Sequence, residues 1–158
     1  MPRITPTLWF DTNGKEAAEF YVSIFPNSRI KKVLHYGEGG PRPAGTVLTV
    51  EFSLDGQDYI ALNGGPQFTF DEAISLLIDC AGQEEVDYYW AKLSEGGEEG
   101  PCGWLKDKYG LSWQVAPTEM KALLSDPDPG RAQRAMRAMM GMKKIDLAEV
   151  RAAADAAG

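Results

Sequence analysis

The sequence predicts an α+β fold: two tandem β-α-β-β-β modules, then a helical tail. Three observations predict it. First, TLWFDTNGKEAAEFYVSIF (Thr7 to Phe25) recurs as SLLIDCAGQEEVDYYWAKL (Ser75 to Leu93) at an offset of 68. Thr7 meets Ser75, Gly14 meets Gly82, Glu16 meets Glu84 and Tyr21 meets Tyr89. Two copies of an apolar run, a turn and a helix are too few for a solenoid, so the units should pair. Second, each copy is followed by short segments with strand alternation and glycine turns. Third, the pattern after Pro117 is helical throughout.

In chain order, Ile4 to Phe10 reads as a strand, with Thr5, Thr7 and Trp9 on one face and Ile4, Leu8 and Phe10 on the other. Asp11 to Gly14 is a turn, and Asn13 with Glu16 offers a capping box. Ala18, Tyr21, Val22 and Phe25 form a helical stripe that Pro26-Asn27 ends. Arg29 to Tyr36 is a second strand, and Gly37 to Gly45 a glycine- and proline-rich loop. Thr46 to Leu54 alternates cleanly, and Asp55-Gly56 turns it into Asp58 to Leu62. Asn63 to Phe70 links the modules. Ala73 to Asp79 and Gln83 to Leu93 are the echoed strand and helix. Short strands follow near Glu98 to Cys102, Gly103 to Lys106 and Leu111 to Ala116, with a turn at Tyr109-Gly110.

In the tail, Thr118 can cap Glu119 to Leu124, Pro129 suits a first helical position, and Asp146 with Glu149 makes a capping box for Leu147 to Ala157. Ala132, Ala135, Met136, Met139 and Met140 form a stripe, read as packing against the sheet or a second subunit rather than as an adaptable binding groove. The expected organisation is a domain over 1–117, with modules 1–62 and 73–117, and a helical extension over 118–158 that serves packing or dimer contact.

With 158 residues, 44% apolar and 25% charged, the composition is that of one soluble globular domain. No apolar run approaches a membrane span, and the N-terminus lacks the pattern of a secretory signal. A net charge of −7 disfavours nucleic acid and anionic membranes as partners. Cys80 and Cys102 are expected reduced, and the location cytoplasmic.

The segments ITPTLWFD, EAAEFYVSIFPNS, ALNGGPQFTFDEAIS, EEVDYYWAKL, EGGEEGPCGWLKDKYGLSWQVAP and the tail from Asp126 to Lys144 resemble the vicinal oxygen chelate superfamily. That superfamily includes glyoxalase I, bleomycin resistance proteins and extradiol dioxygenases. Within it the chain is similar to the PhnB-like group, often labelled 3-demethylubiquinone-9 3-methyltransferase. The resemblance implies a curved, cup-like mixed sheet with helices outside, a ligand on the concave side, and a homodimer.

It also implies where a metal would sit, on the first and last strand of each module. Those positions read Thr7, Ile60, Ser75 and Gln114, none a good ligand for a divalent transition metal. The expectation is therefore no metal and no cofactor. Strand parity instead turns Thr7, Trp9, Ser75, Leu77, Ser112 and Gln114 into the cup, with Asn63, Gln67 and Phe68 at its rim and Trp104 as a wall. Polar groups on an apolar floor suit a small molecule; mutual hydrogen bonding of Thr7, Ser75 and Gln114 is the competing account. Glu51 as a substitute ligand, His35 as a general base and Cys102 as a nucleophile each lack a readable partner. No catalytic residue is assigned. The glycines do not lead from a strand into a helix, so the methyltransferase label finds no support in them. The expected function is metal-free binding of a small molecule of unknown identity. The alternative is a lyase, isomerase or dioxygenase with a metal at displaced positions.

Overall fold

The computed structural model describes residues 2–156. The chain divides into two compact units, Met1–Phe70 and Asp71–Gly158. The first contains β1 (Thr7–Phe10), α1 (Gly14–Ile24), β2 (Arg29–His35), β3 (Val47–Leu54) and β4 (Gln57–Asn63), in the sheet order β1-β4-β3-β2. The second contains β5 (Ser75–Cys80), α2 (Gln83–Ser94), β6 (Glu98–Glu99), β7 (Trp104–Lys106) and β8 (Ser112–Pro117), in the matching order β5-β8-β7-β6. Both units are β-α-β-β-β with one parallel pair, β1 with β4 and β5 with β8. The tandem α+β architecture is thus present, built as two mixed four-stranded sheets.

Alternation decides which face each helix covers. In the first unit Leu8, Phe10, Val50, Phe52 and Ala61 are buried with Ala17, Ala18, Tyr21 and Ile24 of α1. Tyr21 stacks on Phe52 at 6.3 Å, and Phe52 on Tyr59 at 5.5 Å. The buried stripe of α1 is phased on Ala17 and Ile24, while Val22 and Phe25 are only half-buried. In the second unit Leu105, Trp113 and Val115 are buried with Val86, Tyr89, Trp90 and Leu93 of α2. Each large side chain so buried contributes about 1.5–3 kcal/mol.

Three helices follow: α3 (Glu119–Leu124), α4 (Pro129–Met140) and α5 (Leu147–Asp155). They belong to the second unit, with a cluster of Met120, Leu123, Ala135, Ile145, Leu147 and Val150 among them. From the α4 stripe, Ala135 and Met139 join this cluster, whereas Met136 and Met140 stay exposed. Asp128 caps α4 through Gly130 N, with Pro129 opening the helix, and Asp146 caps α5 through Glu149 N at 3.1 Å.

Several local expectations differ from the structure. The first strand begins at Thr7 rather than Ile4, which is 92% exposed; Pro6 still pairs through its carbonyl, accepting from Ile60 N at 3.0 Å. Asn13 makes no side-chain cap. The Gly14 N–H is met instead by Asn63 Oδ1, from across the sheet. Thr118 has helical dihedrals and donates its hydroxyl to Cys80 O, so it does not cap α3.

Candidate functional site

Residues paired across neighbouring strands point to the same side of a sheet. In the second unit this generates two rows on the face away from α2. Ser75, Ser112, Lys106 and Glu98 form one row; Leu77, Gln114 and Trp104 form the next. Gln114 Nε2 donates to Ser75 Oγ at 2.9 Å. Lys106 Nζ lies 3.2 Å from a Glu72 carboxylate oxygen. Ser112 is 1% exposed, and its Oγ has no hydrogen-bond partner among the described residues.

A pocket of about 410 Å³ opens on this face. Ser112, Trp104, Lys106, Cys102, Glu72 and Glu98 line it, with the β6–β7 turn as its lip. That turn needs left-handed backbone at consecutive positions: Cys102 has φ 58° and Gly103 φ 84°. It is tied down from the C-terminal segment, because Cys102 N donates to Met142 O and Gly103 N to Lys143 O, each at 2.8 Å. The helical tail thereby helps to shape the pocket. Ser75, Leu77 and Gln114 share the face but are not among the residues lining the pocket.

In the first unit the corresponding face carries Thr7, Ile60, Glu51 and Lys32 in one row, and Trp9, Leu62 and Thr49 in the next. Trp9 is held closely. Its Nε1 donates to Gly65 O at 2.9 Å, Phe68 meets it edge-on at 4.9 Å, and a Cβ added at Gly64 would stand 2.4 Å from the ring. The Gln67 amide lies beside Gly65, as does the Arg42 guanidinium. Trp9, Gln67 and Phe68 therefore gather in one place, and Phe68 is 64% exposed. Asn63 is only 4% exposed, and its amide is committed: Oδ1 accepts from Gly14 N at 2.8 Å, and Nδ2 donates to Thr12 O and Val47 O at 3.2 Å.

The positions at which the sequence resemblance would place a metal carry hydroxyl, amide and hydrocarbon groups. Thr7 lies opposite Ile60, while Ser75 lies opposite Ser112 and Gln114 opposite Leu77. By register the counterpart of Ile60 is Ser112, two residues before Gln114. Either choice supplies no imidazole, thiolate or carboxylate, so this donor set does not fit a divalent transition metal. Among the described residues no three His, Cys, Asp or Glu form a group that could hold a metal ion. His35 is exposed on β2. Cys80 is buried, and its thiol is pushed up to about 12 by burial first, then by the charges of Glu85 and Asp79.

Sequence reasoning missed Lys106, Glu98, Glu72 and Asp107. Lys106 was within reach, since it alternates onto the face of Trp104. Glu98 sits on a strand of two residues, too short to show parity, and Glu72 in a loop. Asp107 is 2% exposed and organises the β7–β8 turn: it accepts from Tyr109 N, Leu111 N and Trp113 Nε1 at 2.8–3.1 Å.

The family described as 3-demethylubiquinone-9 3-methyltransferase matches residues 2–116. Among solved structures, the PhnB protein of Bacillus cereus, whose description carries that same methyltransferase name, is 36% identical with a TM-score of 0.66, over 73% of this chain and 99% of that one. Protein PA1353 of Pseudomonas aeruginosa is 20% identical with a TM-score of 0.61, over 74% and 98%. The fosfomycin resistance protein FosX of Listeria monocytogenes matches more loosely, at 19% identity and a TM-score of 0.48, over 74% and 93%. No curated protein matches the chain. No helix of the described residues is long and apolar enough to cross a membrane.

Proposed function

We propose, on the premise that the chain belongs to the 3-demethylubiquinone-9 3-methyltransferase family of the vicinal oxygen chelate fold, that it binds a small molecule without a metal and without transferring a methyl group. One observation carries the reading. A pocket of about 410 Å³ is lined by Ser112, whose buried hydroxyl has no partner among the described residues. Leaving such a group unsatisfied costs about 1–3 kcal/mol. A ligand that hydrogen-bonds to Ser112 Oγ recovers this cost, and the volume lies in the range of about 300–1,000 Å³ typical of ligand sites. Trp9, Gln67 and Phe68 supply a second, aromatic patch on the first unit, while Ser75 and Gln114 hold the floor beside the pocket.

The donor chemistry at Thr7, Ile60, Ser75 and Gln114 supports binding without a metal. Against methyl transfer stand the glycines. Gly37 to Gly45 connects the antiparallel strands β2 and β3, and Gly96-Gly97 leads from α2 into β6. The helix that follows β1 opens at Gly14, whose N–H is already taken by Asn63; an adenosylmethionine site needs such groups free. Micromolar binding of adenosylmethionine by calorimetry would overturn this part. Homodimer formation is inferred from kinship, and light scattering tests it. A cytoplasmic location is inferred from the two unpaired thiols.

Ser112→Ala tests the site. It removes the unsatisfied hydroxyl and raises the stability of the free protein by about 1 kcal/mol, while weakening stabilisation by fragments that hydrogen-bond to it. A lowered Tm in the free variant refutes the reading, since Ser112 would then be serving the fold.

A further inference from the structure

The pocket on the second sheet has a charge pattern that points to one class of ligand. Three carboxylates line it, Glu72, Glu98 and Glu99, against a single cation, Lys106. Two of the three are engaged: Glu72 with Lys106 at 3.2 Å, and Glu99 Oε2 with the indole N–H of Trp90 at 3.2 Å. The Lys106 charge is therefore already answered from within the protein. Glu98 faces the same side as Lys106 by register, and its carboxylate has no hydrogen-bond or ion-pair partner among the described residues. The groups left to a ligand are thus the Glu98 carboxylate, the Ser112 oxygen and the ring of Trp104. A carboxylate accepts, a hydroxyl oxygen can accept, and an indole face attracts positive charge.

We propose that this pocket binds a small organic cation, an amine with an apolar body, whose ammonium lies between Glu98 and the Trp104 ring and donates to Ser112 Oγ. The apolar body lies against Pro101, in the turn that forms the lip of the pocket. An ammonium donates to the two acceptors and answers the one unpaired charge, that of Glu98, that the pocket leaves open. A carboxylate ligand would meet the unpaired Glu98 and would have to compete with Glu72 for Lys106. The proposal rests on the small-molecule reading of this pocket and adds the charge of the ligand to it.

The test uses the full chain, isotopically labelled, at neutral pH, with three probes of one shape: benzylamine, benzyl alcohol and benzoate. The indole N–H resonance of Trp104, assigned with Trp104→Phe, reports binding. Benzylamine is expected to bind at least about tenfold more tightly than benzoate and to weaken as salt is added. Glu98→Gln, at an exposed site that leaves the fold intact, lowers benzylamine affinity about tenfold and leaves benzyl alcohol unchanged. Lys106→Met frees Glu72 and tightens benzylamine. Benzoate binding as tightly as benzylamine, or an unchanged benzylamine affinity in Glu98→Gln, overturns the cation assignment and keeps the pocket as a ligand site. If none of the three probes moves Trp104 in the folded protein, both the assignment and the small-molecule reading of the pocket fall.

Discussion

Replacing Asn63 with alanine probes how the first unit is held together. Three backbone groups depend on this one amide: the Gly14 N–H, and the carbonyls of Thr12 and Val47. Thr12 is exposed and Val47 half-buried, so water can reach their oxygens. Gly14 is buried, and a Cβ added there would come within 2.6 Å of Asn63 Oδ1, which shows how tightly the site is closed. Its N–H is left without a partner in the variant, at about 1–3 kcal/mol, and the two lost amide donations add about 0.5–1 kcal/mol between them after water replaces them. The sum is about 1.5–4 kcal/mol. For a chain of this length that lowers Tm by about 3–16 °C. Calorimetry or circular dichroism measures the shift, and amide exchange at Gly14 should accelerate in parallel. A Tm within about 2 °C of the parent refutes the reasoning. The same variant separates two roles for Asn63, because a residue that only rimmed a ligand site would weaken binding at an unchanged Tm.

Three further outcomes are expected. Gly64→Ala drives a methyl into the Trp9 ring and costs about 1–3 kcal/mol, with a shift in tryptophan emission as the ring moves; unchanged emission rules out the close seat described for Trp9. Asp107→Ala orphans two backbone N–H groups and the Trp113 indole, and costs about 3 kcal/mol or more in chemical denaturation; a loss under about 1 kcal/mol refutes its role in the turn. For Cys80 the folded thiol titrates near 12 against an ordinary 9.0, so its contribution is fully present below pH 9 and is lost as pH rises towards 12. Stability should fall in that window, Cys80→Ala should flatten the fall, and a thiol reagent at pH 8 should modify Cys102 well before Cys80.

Much of the fold is legible because its signals are local. The offset of 68 repeats a strand, a turn and a helix, and each recurs where the alignment places it. Pro129 and Asp146 mark helix starts because their effect acts within one turn. Asn13 misleads for the same reason: its neighbourhood suits a cap, but the competing acceptor comes from Asn63, 49 residues from Gly14. The candidate site shows the same division. Trp104 shares a face with Lys106, and Ser112 with Gln114, by alternation alone, yet the Glu72–Lys106 pair and the tie from Cys102 to Met142 join segments about 34 and 40 residues apart.

The sequence by itself determined which side chains of one strand share a face, since the two-residue period of a strand is a property of the backbone alone. Which polar atoms on those faces find partners was left to the tertiary structure. Gln114 meets Ser75 across the β5–β8 register, and Ser112, two residues earlier on the same side, meets none. The physical reason is that parity sets only a direction. A hydrogen bond also requires a distance of about 3 Å, and that is decided by strand register and by the loops that close over the sheet.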